Sequence, residues 1–219
     1  MTRPDPSDRG AAGAGSDQPG DRGHRSDDLT GKILIAMPGM ADPRFAHSVV
    51  LICAHGAEGA MGIVLNKPLP GVGFGDLLAQ LGIRSEGRAP AVPVHFGGPV
   101  EPGRGFVLHP LPAPRESDDA EAGGEGMLRI GGLALGLTAT RNILEDIASG
   151  RGPERAVLSL GYAGWDAGQL ETEMMANGWL TAEARDELIF GTDNDQKWQR
   201  ALKSLGVDPL ALSTAAGHA

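Results

Sequence analysis

The chain has 219 residues and a formal net charge of −9, with 41% hydrophobic residues and only 4% aromatic ones. That balance disfavours direct nucleic-acid binding, which needs a basic footprint to neutralise phosphates, and no local run of Lys or Arg supplies one. A single cysteine, Cys53, excludes an intrachain disulfide and fits a reducing cytoplasmic setting, and no stretch approaches the roughly 20 apolar residues of a membrane span.

Residues 1–30 are rich in Gly, Pro, Ser and Asp, lack the apolar stretch of a signal peptide, and read as a disordered tail. A single domain is expected over 31–206, with a second tail over 207–219. Lys32–Ala36 reads as a strand that stops at Pro38-Gly39, and Asp42-Pro43 marks a loop. SVVLICAH, from Ser48, is continuously apolar and β-branched, the pattern of a strand buried on both faces. GAEGA turns it back onto MGIVLNKP, which gives a first β-hairpin of ordinary loop length. GFGDLLAQLG predicts a helix with Leu77, Leu78 and Leu81 on one face and Gly82 as its stop. PVHFGGPV and GRGFVLHP flank Glu101-Pro102-Gly103 and read as a second hairpin. Pro110 to Gly126 is acidic, rich in Gly and Pro and without periodicity, so it reads as a mobile loop. MLRIGGLAL reads as a strand broken or bulged at Gly131-Gly132.

TRNILEDIASGRGP predicts a helix capped by Thr138 or Thr140, with Ile143, Leu144 and Ile147 on one face and Gly150 and Pro153 at its end. AVLSLGY is a buried strand. In GYAGWDAGQLETEMMANGWL, Asp166 reads as a helix N-cap with Gln169 at the third helical position, a variant of the capping box. Trp165 before the cap and Leu170 at the fourth position form a hydrophobic staple. Glu171 lies where the helix dipole favours an acid, and Asn177-Gly178 closes the helix. The alternative for this stretch is a ligand-facing role for Tyr162 or Trp165, whose amphipathic rings also suit binding sites. ELIF fits helix and strand alike. DNDQKWQRALKSLG is the clearest helix, with Trp198, Ala201, Leu202 and Leu205 at i, i+3, i+4 and i+7, acids in front and Gly206 behind. Two early hairpins followed by helices argue for an α+β fold with a largely antiparallel sheet, not a doubly wound parallel one.

Four histidines fall inside the expected domain: His47, His55, His95 and His109. In a regular strand His55 shares parity with Cys53, but their spacing matches no metal motif, and a strand-buried cysteine is usually a small hydrophobe. A hairpin turning about Pro102 sets His95 opposite His109 near Arg104, the arrangement an enzyme would need. A bulge at Gly97-Gly98 breaks that register, and two half-exposed edge histidines are the plainer reading. GVGFGD lacks the dinucleotide fingerprint, and no G-x-S-x-G elbow is present. The motifs call for no catalytic residue, metal or cofactor. The polar groups without evident structural employment lie in two glycine-rich stretches. One carries Gly97, Gly98, Pro99, Glu101 and Arg104, flanked by His95 and His109; the other carries Tyr162, Gly164 and Trp165. Glycines allow close backbone approach, and Arg104 suits a carboxylate or phosphate, or its own neighbour Glu101. One shallow site for a small anionic molecule or a partner peptide is expected there.

IAMPGMADPRFAHSVVLICAHGAEGAMGIVLNKP, HFGGPVEPGRGFVLH, GLALGLTATRNILEDIASGRGP and LGYAGWDAGQLETEMMANGWL, in that order, resemble the YqgE/AlgH family of bacterial proteins. The resemblance runs from about Gly31 to Gly206. It implies a compact α+β fold in which helices surround a branched β-sheet. Some members are described as transcriptional regulators through an association with alginate production, and no catalytic residue carries over. The long N-terminal tail, the acidic 110–126 stretch and the short C-terminal extension depart from the family pattern. The acidic charge sets direct DNA contact behind an indirect route through a protein or a small ligand.

Overall fold

In chain order the elements are β1 (Lys32–Ala36), β2 (Val49–Gly56), β3 (Gly59–Val64), α1 (Phe74–Gln80), β4 (Val94–Phe96), β5 (Val100–Pro110), β6 (Met127–Ile130), β7 (Leu135–Thr138), α2 (Arg141–Ala148), β8 (Val157–Asp166), α3 (Gln169–Met175), β9 (Trp179–Glu183), α4 (Asp186–Phe190) and α5 (Asn194–Ser204). They come from a computed structural model that describes residues 28–85, 91–112, 126–208 and 212. The expected N-terminal tail and 110–126 loop therefore lie almost wholly outside the described residues. Of the 207–219 stretch, Val207 and Leu212 pack against the core.

The strands form one nine-stranded sheet in the order β6-β7-β5-β8-β3-β2-β1-β9, with β4 attached to β8 off that path. Every ladder is antiparallel except β4 on β8. The branch lies on β8. Its first half is flanked by β4 and β5, and its second half, Ala163–Asp166, takes up β3. This is an α+β fold with a branched, largely antiparallel sheet.

The continuous apolar runs follow from burial on both faces. Ile33, Ile35, Val49, Leu51 and Ile63 pack toward α4 and α5, which contribute Leu188, Ile189, Trp198, Ala201 and Leu202. The alternate residues Leu34, Val50, Ile52 and Val64 pack with Trp165, Leu170 and Trp179. A third cluster seats α1 and α2 on β4, β5 and β8 through Phe74, Leu78, Ile147, Val107 and Leu158. With period-2 alternation and helices on both sides, neither strand face can be polar.

The first hairpin, β2–β3, forms as expected, but a register shift between Ile52 and Ala54 interrupts it. The bulge breaks the parity expected of Cys53 and His55. Cys53 packs in the α5-side core, while His55 bonds the Leu29 amide and Glu171.

The second hairpin does not form. β4 and β5 lie on opposite edges of β8, so His95 is opposite Ser159 and His109 opposite Gly136. Glu101-Pro102-Gly103 is not a turn but part of a wide bulge inside β5, between the Val100↔Tyr162 and Gly105↔Leu160 pairs. To pass from one edge of β8 to the other, residues 97–99 cross that strand. The crossing brings the backbones of Gly97 and Gly98 onto Gly161–Ala163 with no room for a side chain.

Other local differences have simple causes. The Gly131-Gly132 break is the turn of a β6–β7 hairpin. Thr140, not Thr138, precedes α2. Leu81 and Leu205 each occupy a C-cap position and are exposed. ELIF is helical as part of α4, and β9, with no alternation of its own, forms by pairing with β1.

Candidate functional site

β8 continues through Tyr162, Gly164 and Trp165 to Asp166, so this stretch is a strand and not a loop. Asp166 is correspondingly not the cap of α3. The N-cap is Gly168, in the left-handed region at φ 73. Half of the expected capping box survives, because the Asp166 amide donates to Gln169 Oε1 at 3.0 Å. The staple partners Trp165 and Leu170 share one cluster. The helix closes as expected with Asn177 at φ 56, and the Gly178 and Asn177 amides return to the Glu173 and Met174 carbonyls in a Schellman arrangement. The Asp166 carboxylate has no hydrogen-bond partner among the described residues. Asp166→Ala is therefore expected to shift a denaturant midpoint by less than about 0.5 kcal/mol of stability, the range of a surface change. A loss near 1 kcal/mol would restore the capping role.

Tyr162, Trp165 and Asp166 open onto a groove of about 960 Å³ between the tip of the β2–β3 hairpin, β5, and the start of β6. Its apolar lining includes Met61, Val100, Phe106, Leu137 and Tyr162, and Arg104, Glu58 and Asp166 supply charge. Arg104 lies with its guanidinium carbon 5.1 Å from the Phe106 ring centre and donates to Glu101 Oε2 at 3.0 Å. Phe106 meets Tyr162 edge to face at 5.8 Å. Cation, ring and ring thus stack in sequence along one wall. The Tyr162 hydroxyl has no hydrogen-bond partner among the described residues, and neither do the Glu58 and Asp166 carboxylates.

A second groove, of about 800 Å³, lies on the other side of Trp165 and is lined by Pro99, Gln169, Phe45 and Trp179. Between the two indoles sits Glu173. Its Oε2 accepts from Trp165 Nε1 at 3.0 Å and Trp179 Nε1 at 2.8 Å, and its Oε1 accepts from Gln169 at 2.8 Å. Gly97 and Gly98 line neither groove, because the backbone they approach is β8.

His95 and His109 are both buried, not half-exposed, and they occupy separate places. His109 Nδ1 donates to the Pro110 carbonyl at 3.0 Å, which leaves Nε2 to accept from the Thr138 hydroxyl at 2.9 Å. His95 lies under α5, with Nε2 donating to Asn194 Oδ1 at 3.3 Å. Burial first, and then the ammonium of Lys197, depress its pKa. Three buried polar atoms among the described residues lack a partner: His95 Nδ1, Ser159 Oγ and Ser48 Oγ. No cluster of three or more His, Cys, Asp or Glu suited to a metal occurs among the described residues.

Lys197 is 2% exposed, with its Nζ donating to the Leu65 carbonyl at 2.8 Å. Burial pulls its pKa down to about 8. The unfolded chain, whose lysines titrate near 10.4, then holds more protons than the folded chain between pH 8 and that value, so stability rises with pH across the window. The Cys53 thiol, pushed up to about 12 by burial, acts in the opposite sense from about pH 9 upward, within the same window. The comparison is therefore made against Lys197→Met. Denaturant melts at pH 7.5 and 10.5 are expected to show wild type gaining on the variant by on the order of 2–3 kcal/mol. A difference independent of pH would show that Lys197 is solvated.

The sequence pointed to Arg104, Tyr162 and Trp165, and these three do face one groove. It missed Phe106 and Met61, which read only as apolar strand residues, and Glu58, which read only as a turn residue. It also missed Glu173, whose role depends on two indoles that the chain brings together across β8 and β9.

The model of an AlgH-like family matches residues 33–210. A UPF0301 protein of Paracoccus denitrificans is 59% identical over 195 residues, covering 89% of this chain and 99% of its own length. A UPF0301 protein of a Jannaschia strain is 54% identical over 88% of this chain and 96% of its own. The solution structure of the AlgH protein from Pseudomonas aeruginosa is similar with a TM-score of 0.66 and 38% identity, covering 90% of this chain and 98% of that one. A crystal structure from Corynebacterium diphtheriae, at 21% identity and a TM-score of 0.65 over 87% of this chain and 94% of that one, shares the fold. With a family model spanning residues 33–210 and relatives above half identity over nearly their whole length, the chain belongs to the AlgH-like family.

Proposed function

We propose that the protein is a non-enzymatic binding protein that takes up a segment of a partner protein in the groove between β5, β6 and the β2–β3 hairpin, and exerts any regulatory effect through that contact. The observation that carries this reading is the groove wall. Tyr162, half-buried, presents its ring to the groove over the buried Phe106, which it meets edge to face, with the Tyr162 hydroxyl unpaired among the described residues. An amphipathic aromatic side chain with a spare polar tip is a common anchor at protein interfaces. A small anion is less suited, because Arg104 is already engaged by Glu101 and the other charges of the groove are acidic. The enzyme reading loses the paired histidines it rested on. Direct DNA contact is opposed by the net charge of −9.

Phage-displayed peptides selected on the folded protein test the reading. Selected peptides are expected to shift groove amides in NMR spectra and to lose about tenfold in affinity against Tyr162→Ala, the effect of a modest hot spot. Selection of nothing, or shifts confined to other surfaces, would overturn it. Duplex DNA titrated in parallel is expected to show no salt-dependent binding at physiological ionic strength. A clear salt slope would favour direct DNA regulation.

A further inference from the structure

β6 is a terminal strand of the sheet. Among the described residues its only ladder is with β7, so its other edge presents unpaired backbone donors and acceptors. That edge borders the groove, which Gly126, Met127 and Leu128 help to line. At one end the slot is closed, since the β6–β7 turn lies against Gly31. A methyl added at Gly31 would stand 2.8 Å from the Gly131 carbonyl oxygen. At the other end the slot opens opposite Ala54–Met61. The geometry points to strand addition: the groove receives an extended peptide segment that pairs with β6, alternates apolar side chains with polar ones, and carries a Lys or Arg. This rests on the reading of the groove as a protein-binding site.

Each feature of the occupant has its own cause. Ile130 at the closed end of β6 is buried in the core, so Met127–Arg129 give an open edge of about 10 Å, enough for a peptide strand of about three paired residues. Met61, Val100 and Tyr162, all half-buried, line the groove over the buried Phe106 and Leu137, where every second side chain of an added strand can be buried. The basic residue follows from Glu58 and Asp166, which border the same groove and have no cationic partner among the described residues. Arg104, the cation of the wall, is taken by Glu101.

Two hexapeptide pools with alternating β-branched residues test the proposal, one with a fixed central Lys and one with a fixed central Glu, along with the Lys pool N-methylated on its ladder-facing amides. The Lys pool is expected to bind about tenfold tighter than the Glu pool, since like charges set face to face are strongly disfavoured. Glu58→Gln/Asp166→Asn should close that gap. N-methylation should abolish binding. Hydrogen exchange at Met127–Ile130 should slow in the complex while β9, the other terminal strand, stays unchanged. Binding that shifts Tyr162 and Phe106 but leaves β6 exchange unchanged, or that survives N-methylation, overturns strand addition and leaves the groove reading standing. Failure of both pools to perturb the groove overturns the proposal, and the phage selection then decides the groove reading separately. A concentration-dependent dimer that protects β6 without peptide would make a second copy of this chain the occupant and overturn it as well.

Discussion

Gly98→Ala is expected to prevent folding, a loss exceeding about 4 kcal/mol and therefore one with a specific steric cause. Gly98 adopts φ 154, a conformation almost reserved for glycine. A methyl there would overlap the Tyr162 carbonyl carbon and the Ala163 nitrogen. Both are backbone atoms of β8, the strand that β3, β4 and β5 all pair with, so neither can yield without disturbing three ladders. Relief by rotating Gly98 would lift the 97–99 crossing off β8 and detach β5 from its register at Tyr162. The control is Gly132→Ala, in the β6–β7 turn at φ 75 with nothing within 4 Å of the added methyl. That variant carries only the left-handed backbone penalty of about 1–2 kcal/mol. Circular dichroism and denaturant melts of the two variants check the contrast. A Gly98→Ala protein as stable as Gly132→Ala would mean that the crossing has room for a side chain.

The same crossing marks where the sequence stops being legible. Strand and helix positions follow from local periodicity, and β1, the β2–β3 hairpin, α2 and α5 were readable for that reason. Partners of strands are not local. HFGGPV and GRGFVLH look like hairpin arms because they are adjacent, apolar and separated by turn residues. The strand that separates them, β8, lies some fifty residues further along the chain. The glycines of the 97–99 segment were readable as a place of close backbone approach, but not as an approach to the protein's own strand. Likewise Trp165 and Asp166 carry a real pattern, staple and box, and both survive in part. What moved the helix start was the ladder with β3, which holds Trp165 and Asp166 in extended backbone opposite Ala60 and Gly59. Tertiary pairing there outweighed a local cap worth about 1 kcal/mol. In the groove, the groups with unusual chemistry, Arg104 and Tyr162, could be singled out from sequence. The plain apolar wall around them could not, since Phe106 is itself a core residue and Met61 packs against the same core cluster.

Trp165→Ala is expected to cost about 3–5 kcal/mol, the range for truncating a packed aromatic side chain. The ring is 6% exposed. It stacks on Phe45 at 6.4 Å, meets Trp179 edge-on at 5.9 Å and shares its cluster with Leu170. Truncation would leave a cavity between α3 and the sheet and remove one of the two indole donors to Glu173 Oε2, with Trp179 still donating to it. Trp165→Phe separates the two contributions. It keeps most of the ring and loses the N–H, and is expected to cost about 1.5–3 kcal/mol, the value of a hydrogen bond to a charged acceptor. Denaturant melts of the pair decide the point, and a Trp165→Ala midpoint within 1 kcal/mol of wild type would show that the ring is dispensable to the fold. The result also bears on how binding variants are read. Trp165 lines both grooves and is at the same time a core residue, so lost binding in Trp165→Ala reports the fold as much as the site. Tyr162 is half-buried and its hydroxyl serves nothing else among the described residues, so the groove is tested at Tyr162 and the fold at Trp165.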